Sequence, residues 1–316
     1  MNVKSEVLGI LYQSRGKIVS GEFIAEKLGV SRAAVWKAIN GLKKDGYEVV
    51  SERNKGYVFS VSDDNLSAEG IRVLAPDFLP FVYDEVDSTN DEAKRLAIEH
   101  PDKNLIVAAN AQRKGRGRRG RSFYSPESTG VYFSVVTHPD ISPEKSVLIT
   151  TAAALAAAET IEELTGKRAL IKWINDVYVG GKKCVGILTE ATFDCESGRF
   201  GSVVVGIGVN VTTSDFPSEI SNRAGSIGAV SRNELVAKIS ERLLRYIHPL
   251  NGDFMREYEK RCFVIGGNVT VLEKSGSEYE AKAIGLTELG ELIAETKNGQ
   301  KLVLNNEEVS VRTEVL

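Results

Sequence analysis

The first sixty residues contain three stretches in which apolar residues recur at helical spacing, followed by two stretches in which apolar and polar residues alternate. Gly29 predicts the end of the second helix, and Ser31 is suited to cap the third. The alternating stretches, residues 47–51 and 57–61, flank a short polar turn and predict a hairpin. Three helices followed by a hairpin are the elements of a winged helix-turn-helix.

The third helix is expected to expose a basic face. Val35, Ile39 and Leu42 recur on its buried side, whereas polar and basic residues fall elsewhere. In a winged helix-turn-helix this helix enters the DNA major groove, and Lys and Arg on the helix and wing neutralise phosphates. A protein-interaction module with a solvated basic face is the alternative, but the order of turn glycine, cap and basic face favours DNA. The candidate DNA-binding residues are Ser31, Arg32, Trp36, Lys37, Asn40, Lys43 and Lys55.

After a polar linker at residues 63–67, segments typical of strands and helices alternate. Strands are predicted at residues 105–109, 130–137, 169–173, 184–189 and 202–211, and helices at residues 90–99, 148–164 and 233–247. The many alanines of residues 151–159 predict a helix packed closely against the sheet. From Gly267 onward, short alternating runs separated by Gly or Asn turns predict a small β-barrel. We therefore expect an α+β chain with domains at residues 1–62, 63–266 and 267–316.

Composition narrows the possible chemistry. The 316 residues exceed what one compact core usually holds, and 42% apolar with 26% charged residues is ordinary for a globular protein. The N-terminus lacks the order of a signal peptide and no apolar run could span a bilayer, so we expect a cytoplasmic protein without a membrane partner. The three cysteines, Cys184, Cys195 and Cys262, show no CxxC spacing and predict reduced thiols. The three dispersed histidines argue against a histidine-rich metal centre and against a Ser/His/Asp triad.

The net charge of -3 conceals a division along the chain. Residues 1–60 carry 10 Lys and Arg against 6 Asp and Glu, so the remainder of the chain is acidic. If nucleic acid is bound, it is expected at the N-terminal end.

Residues 112–121, with the sequence QRKGRGRRGR, form a basic segment that we call the basic loop. Gly115, Gly117 and Gly120 match the GxGxxG pattern of dinucleotide-binding folds, but that pattern requires a helix to begin at the third glycine. The sequence SFYSPESTG follows instead, and its Pro and Gly break a helix. Six basic residues among nine, interleaved with glycines, remain equally compatible with a disordered surface loop, an RNA-binding patch and a phosphate clamp.

Four further motifs each have a purely structural explanation. Thr89 and Glu92 have the spacing of a capping box at the start of a helix. At KWIND, residues 172–176, a strand ends in a turn, and at KCVGIL, residues 183–188, the next predicted strand begins, so a hairpin would explain each segment. The segment GIGVN at residues 206–210 places two glycines and an amide in an apolar strand. Such a strand indicates close approach of a ligand or backbone, or a β-bulge.

In this order, STN, QxxGRGRRGR, KWxND, KxxGIL and GxGxN resemble the biotin protein ligase family. The N-terminal module resembles that of its bifunctional members, which also repress the biotin operon, so the resemblance covers nearly the whole chain. Two residues depart from the pattern: Ile174 stands where proline is usual, and Phe123 stands where tryptophan often follows the basic loop. Neither removes a group that the reaction needs. The resemblance implies a central α/β ligase domain related to class II synthetase-like folds, and an SH3-like C-terminal barrel.

The resemblance also implies a two-step reaction without a protein nucleophile. The biotin carboxylate attacks the α-phosphate of ATP to give biotinyl-5'-adenylate, and a lysine amine of an acceptor protein then displaces AMP. Catalysis would depend on positioning and on stabilisation of phosphate charge. ATP with Mg²⁺ and biotin are then cosubstrates, and no tightly bound metal is expected.

By this resemblance, the site residues fall into three groups. Biotin binding is expected from Ser88, Thr89, Asn90, Gln112, Arg116, Gly117, Arg118 and Lys183. Nucleotide binding is expected from Lys172, Asn175 and Asn210. Catalysis is expected from Lys183, Arg118, Arg116 and Asp176, of which Asp176 is also the candidate Mg²⁺ ligand. The hydroxyl and amide groups in the first set match the N–H donors and C=O acceptor of the biotin ureido ring. The basic loop is expected to order only over bound ligand.

The implied partners are the biotin carboxyl carrier protein of acetyl-CoA carboxylase or a related carboxylase, biotin operator DNA, and a second copy of the chain when the adenylate is bound. Two other functions stay open. One is a lipoate-type acyl ligase, which shares the fold and the adenylate strategy. The other is a DNA-binding regulator that senses a ligand without catalysis.

Overall fold

Three β-sheets follow one another along the chain, and each is formed by a continuous stretch of sequence. This computed structural model describes residues 2–60, 64–139, 142, 145–194, 199–273, 277–304 and 309–313. Val61 of the predicted hairpin, Asp63 of the predicted linker and Cys195 lie outside those residues. The elements are a mixture of helices and mainly antiparallel sheets, which confirms the predicted α+β class.

The first sheet belongs to the predicted winged helix-turn-helix. Its elements are α1 Val3–Gln13, β1 Ile18–Val19, α2 Gly21–Leu28, α3 Arg32–Lys44, β2 Val49–Glu52 and β3 Gly56–Phe59. The hydroxyl groups of Ser20 and Ser31 accept hydrogen bonds from the amides of Phe23 and Ala34, at 3.0 and 3.2 Å, and so cap α2 and α3. Gly29 ends α2 with a φ of 64°, as predicted.

The second sheet has seven strands in the order β4-β5-β6-β10-β9-β8-β7. The strands are β4 Leu79–Val86, β5 Leu105–Gln112, β6 Gly130–Thr137, β7 Ala169–Lys172, β8 Asp176–Val179, β9 Lys182–Asp194 and β10 Arg199–Asn210. β4 and β5 are parallel, whereas the other neighbouring strands are antiparallel. The five strands predicted in this region are present. β4 and β8 were not predicted, because Pro80 and the acidic residues at its end weaken the strand pattern of β4, and β8 has only 4 residues.

Helices cover both faces of this sheet. They are α4 Ala68–Leu74, α5 Thr89–Glu99, α6 Ser146–Thr165, α7 Arg232–Ile247 and α8 Met255–Arg261. Residues 152–158 of α6 are fully buried, because their small side chains let the helix approach the sheet closely, as predicted. α5 packs on the opposite face, where Ala93 and Leu96 contact Leu105 and Val107 of β5. Within the described ranges, no helix combines the length and apolar character needed to cross a bilayer.

The third sheet contains β11 Asn268–Glu273, β12 Glu278–Leu286, β13 Leu292–Thr296, β14 Lys301–Leu304 and β15 Val309–Thr313. Its order is β14-β13-β12-β11-β15, so the pairings in the described part of the chain leave an open antiparallel sheet. The predicted barrel is therefore not confirmed. A turn of this sheet rests on the central part of the protein, since Trp173 Nε1 donates a hydrogen bond of 2.9 Å to the Gly290 carbonyl.

Asn233, in the first turn of α7, ties the N-terminal module to the central part. Its side chain is 2% exposed. The amide nitrogen donates to the Tyr12 hydroxyl at 2.9 Å and to the Asn65 carbonyl at 2.7 Å. The amide oxygen accepts from the Ser67 backbone N–H at 3.0 Å. Both polar ends of Asn233 are therefore satisfied by the helix-turn-helix module and the segment that follows it.

The preceding residue, Arg232, reaches into the central sheet. Its guanidinium donates to the Asp64 carboxylate and to the Asn110 side chain, both at 2.7 Å. Asn110 lies in β5, two residues before the basic loop begins. We call Arg232 and Asn233 the α7 latch, because together they connect the N-terminal module, the linker and β5.

Replacement of Asn233 by alanine should destabilise the protein. The change removes the donor to the Asn65 carbonyl and the acceptor for the Ser67 N–H, and a buried unsatisfied polar group costs about 1–3 kcal/mol. Urea unfolding should show a loss of at least this size. Asn251→Ala, at an exposed asparagine, is the control and should change stability by less than about 0.5 kcal/mol. Equal stability of the two variants would contradict a structural role for the latch.

Candidate active site

A cavity of about 630 Å³ opens on the central sheet between the basic loop, the start of α5 and the third sheet. It contains all the residues that the sequence assigned to ligand binding and catalysis. These are Ser88, Thr89, Asn90, Gln112, Arg116, Gly117, Arg118, Lys172, Asn175, Asp176, Lys183 and Asn210. Residues from five separate motifs are thus brought to one site.

The first turn of α5 forms one wall of the cavity. The capping box predicted at Thr89 and Glu92 is wrong, because Ser88 is the N-cap residue and Thr89 already belongs to the helix. The Ser88 hydroxyl makes no capping bond, and Glu92 is hydrogen-bonded to Tyr83 instead. Neither hydroxyl caps the helix, and both residues line the cavity.

Thr89 and Gln112 are joined across this wall. Gln112 Oε1 accepts from the Thr89 backbone N–H at 2.9 Å and from its hydroxyl at 3.2 Å. Gln112 Nε2 donates to the Ser125 hydroxyl at 3.0 Å. Ser134 Oγ, which is fully buried in β6, lies 2.8 Å from Thr89 Oγ1 and 2.6 Å from Asn90 Oδ1. The wall is thus a neutral network of hydroxyl and amide groups with fixed directions.

Glycines in β9 and β10 make room for the side chains that form the floor. A Cβ atom on Gly206 would lie 2.2 Å from Asn90 Oδ1, and one on Gly208 would lie 2.4 Å from the Phe123 ring. The same ring covers Gly186, which pairs with Gly208 in the sheet. The strand pairing is regular here, so close approach of side chains, not a β-bulge, explains the glycines of GIGVN.

The basic loop has a defined backbone path. Gly117 N–H donates to the Arg121 carbonyl at 2.7 Å, and a single 3-10 turn covers Arg118–Gly120. Arg119 and Gly120 both have positive φ values, of 58° and 71°. A helix does not begin at the third glycine, so the rejection of a dinucleotide-binding loop is confirmed. Arg119 also donates to the Leu272 carbonyl at 3.4 Å, which connects the loop to the third sheet.

Cations and carboxylates face each other on the other side of the cavity. Lys183 Nζ forms an ion pair with Asp176 Oδ1 at 2.7 Å. Arg118 donates to Asn175 Oδ1 at 3.2 Å. Burial lowers the pKa of the Arg118 guanidinium from its ordinary value, and the nearby Asp176 charge opposes this shift. A cation that is costly to bury favours the approach of an anion.

Asn210 closes the far end of the cavity. Its amide nitrogen donates to the Gly225 carbonyl at 3.1 Å. Its amide oxygen is buried and has no hydrogen-bond partner among the residues that the structure describes. A buried acceptor without a donor is costly, so this atom is suited to accept an N–H from a ligand.

The described residues of this site include few candidate metal ligands. In the described part of the chain, no three His, Cys, Asp or Glu side chains come together in a way that could hold a metal ion. Asp176 supplies one carboxylate and Asn175 one amide beside it. Mg²⁺ in nucleotide sites uses one or two carboxylates together with substrate phosphates, so this donor set fits an ion that arrives with a nucleotide.

Sequence reasoning missed three polar residues of the site. Ser125 bonds to Gln112, Ser134 lies between Thr89 and Asn90, and Glu190 bonds to Asn90 at 2.7 Å. The signal for one of them was present, because Ser134 interrupts an otherwise apolar run in β6, whereas Glu190 lies in a strand that also contains Lys and Thr residues. Phe123 was noted only as a departure from a motif. Its contact with Gly186 and Gly208 could not be predicted, because those glycines lie in distant strands.

The candidate DNA-binding residues lie on and beside α3. Val35, Ala38, Ile39 and Leu42 face the core of the module, so the other side of the helix is open. Trp36 is 62% exposed. Arg32, Lys37 and Lys43 are exposed, Asn40 is half-buried, Ser31 caps the helix, and Lys55 lies on the wing beside Glu52.

Comparisons with known proteins agree with this division. Residues 82–210 match the biotin/lipoate A/B protein ligase family, and residues 4–58 match a helix-turn-helix domain. The chain is 34% identical to the bifunctional ligase/repressor BirA of Bacillus subtilis, over 95% of this chain and 96% of that protein. The chain belongs to the bifunctional ligase/repressor family.

Other members of the bifunctional ligase/repressor family and related structures extend the match. BirA of Salmonella typhimurium is 30% identical over 72% of this chain and 72% of that protein. The structure of the biotin protein ligase from Aquifex aeolicus in complex with biotin and ATP has a TM-score of 0.61 and 27% identity, and covers 74% of this chain and 99% of that chain. In the present chain, the segment that matches the ligase family begins in β4 and ends at Asn210. It therefore includes every residue that the sequence assigned to the cavity.

Gly206→Ala should damage the site locally. The added methyl group would overlap Asn90 Oδ1, and overpacking of a buried site costs about 1–3 kcal/mol. Thermal unfolding should show the loss, and the side-chain amide signals of Asn90 in NMR spectra should move. Gly285→Ala, in a strand where the nearest atom is 3.9 Å away, is the control and should alter neither. Unchanged Asn90 signals in Gly206→Ala would refute the packing described here.

Proposed function

We propose that this protein is an ATP-dependent biotin protein ligase that also represses biotin genes. The observation that carries the proposal is the division of one cavity into two parts. A neutral wall at Thr89 and Gln112 suits a ureido ring, and a cationic part at Arg118 and Lys183 suits a carboxylate next to a phosphate. The named activity of the relatives and the biotin and ATP in the Aquifex aeolicus structure agree with this division.

In the first step, a biotin carboxylate oxygen attacks the α-phosphorus of ATP. The bond to the bridging oxygen breaks, and pyrophosphate leaves with its electron pair. Lys183 is half-buried, and its ammonium has donors beyond the one that faces Asp176, so it can also bind the biotin carboxylate and a phosphate oxygen. Arg116 and Arg118 close over the same charge from the basic loop, which we expect to become fully ordered over the ligand.

In the second step, an acceptor lysine amine attacks the acyl carbon of the adenylate. AMP leaves, an amide bond forms, and the amine loses a proton to solvent or to a nearby base. Asp176 is placed to orient the incoming amine, or to ligate Mg²⁺ that arrives with ATP. Lys172, Asn175 and Asn210 are assigned to the nucleotide. The unpartnered oxygen of Asn210 would accept an N–H of the base.

Two other functions are less well supported. A lipoate-type ligase would have no use for the hydrogen-bonded wall of Thr89, Gln112 and Ser134, since a dithiolane ring has no N–H donors. A sensor without catalysis would not need the Lys183 and Asp176 pair.

The remaining assignments follow from family membership and charge. We propose that the acceptor is a biotin carboxyl carrier protein, that the adenylate-bound chain forms a homodimer on a two-fold operator, and that the protein acts in the cytoplasm. We propose domain boundaries at residues 1–62, 63–266 and 267–316. We also propose that the third sheet completes an SH3-like barrel, and that the central domain is related to class II synthetase-like folds.

Incubation with ATP, Mg²⁺ and either biotin or lipoate should add the mass of biotin alone to a carrier protein. Lys183→Ala should abolish pyrophosphate release, because the negative charge that develops during attack loses its nearest cation. Mass spectrometry and a pyrophosphate assay measure the two outcomes. Lys182→Ala, at the exposed neighbouring lysine, is the matched control and should retain activity. Transfer of lipoate, or full activity of Lys183→Ala, would contradict the assignment.

Lys37→Ala should weaken binding to DNA from upstream of the biotin genes. Loss of one phosphate contact should lower affinity several-fold and reduce the slope of log affinity against log salt by about 1. Fluorescence anisotropy with biotin and ATP present, at several salt concentrations, measures both. Lys260→Ala, an exposed lysine on α8, removes the same charge elsewhere and should leave the slope unchanged. An unchanged slope for Lys37→Ala would exclude this residue from the DNA interface.

A further inference from the structure

Glu190, in β9, is a half-buried carboxylate beside the cavity, and the proposed reaction gives it no role. Its side chain is 25% exposed. One oxygen accepts from Lys94 Nζ at 2.7 Å. The other accepts from Asn90 Nδ2 at 2.7 Å and from Arg116 at 3.2 Å. Glu190 therefore contacts both the neutral wall and the basic loop.

The carboxylate is ionised at neutral pH. Burial alone would raise the pKa of Glu190, but hydrogen bonds from Lys94 and Asn90 outweigh burial and hold the pKa below its ordinary value. An ionised carboxylate only accepts hydrogen bonds. Asn90 must therefore present its NH₂ group to Glu190 at 2.7 Å, with the Leu188 carbonyl as a second, more distant acceptor at 3.3 Å, and its oxygen to the other side.

This orientation of Asn90 sets the directions of the wall. Asn90 Oδ1 lies 2.6 Å from the Ser134 hydroxyl, so the single proton of Ser134 is used there. Ser134 then has no proton for Thr89, and the Thr89 proton goes either to Ser134 or to Gln112 Oε1. In both cases Thr89 Oγ1 accepts no proton from Ser134, so both of its lone pairs stay available to a ligand N–H.

We propose that Glu190 is a positioning residue for the acid substrate: its carboxylate fixes the Asn90 amide, and so makes Thr89 a hydrogen-bond acceptor on the cavity wall. The inference rests on the proposed function, because it requires a substrate whose ring donates N–H groups, as the ureido ring of biotin does. Glu190 touches no substrate in this scheme and acts through Asn90, Ser134 and Thr89.

Glu190→Gln tests the proposal, because glutamine can donate as well as accept, so that only the longer bond to the Leu188 carbonyl would still orient the Asn90 amide. Calorimetric titration with biotin alone should show about tenfold weaker binding, whereas the Kd for ATP alone should stay within twofold of wild type. A merely structural role would weaken both ligands together and lower the Tm. Equal loss for biotin and ATP, or wild-type biotin affinity, would overturn the proposal.

Asp91→Asn is the matched control. It neutralises the other carboxylate that holds Arg116, at 2.5 Å, but Asp91 has no described contact with the Asn90 amide. The proposal therefore predicts biotin affinity within twofold of wild type for Asp91→Asn. If both variants lose biotin affinity to the same extent, the loss is caused by release of Arg116 and not by a change in the hydrogen-bonded wall.

Ser134→Ala keeps the proposal testable if Glu190→Gln folds poorly, and a double-mutant cycle connects the two residues when both variants fold. Ser134→Ala removes the hydroxyl between Asn90 and Thr89, and should weaken biotin but not ATP. Because both residues act through one network, the double variant Glu190→Gln/Ser134→Ala should bind biotin no more weakly than the single variant with the lower biotin affinity. Additive losses would refute the connection. Wild-type protein that binds no biotin would refute the proposed ligase instead, so the two failures are distinguishable.

Discussion

The site depends on the missing side chains of Gly186, Gly206 and Gly208, on neighbouring strands of the central sheet. Without a Cβ at these positions, Asn90 can rest against one strand and the Phe123 ring can lie across two. Asn90 then brings the first turn of α5 onto the sheet. The depth of the cavity and the directions of its polar wall both follow from this close approach.

The elements around this floor come from distant parts of the chain, and each is held by a small number of buried polar contacts. The third sheet is fixed to the segment before Asp176 by the Trp173 indole and to the basic loop by Arg119. The segment around Asn175 is also tied to α8, since the Tyr258 hydroxyl donates to the Ile174 carbonyl at 3.2 Å. In all three contacts a side chain donates to a backbone carbonyl. The acceptor residues are therefore fixed by their backbone position and not by the identity of their side chains.

The sequence predicted local features well and spatial relations less well. The helix cap at Ser31 follows from short-range chemistry, and every residue assigned to ligands lines the cavity because the motifs mark where strands and helices begin or end. The capping box at Thr89 failed because its hydroxyl is used across the cavity, by Gln112. Contacts of Glu190 depend on strand register, which no local pattern encodes. Closure of the third sheet into a barrel would require pairing between its edge strands, which a local sequence pattern does not encode either.

The α7 latch has a consequence for how such a protein can evolve. Its polar atoms belong to the ligase part, but their partners belong to the module and linker before it. A descendant that lost the first sixty residues would lose Tyr12 but keep Asp64, Asn65 and Ser67, so the Asn233 amide would lose one partner and Arg232 would keep its carboxylate. Loss of gene regulation would therefore require little repair of the enzyme surface as long as the linker stays, and Asn233 is the position where compensating substitutions should first accumulate.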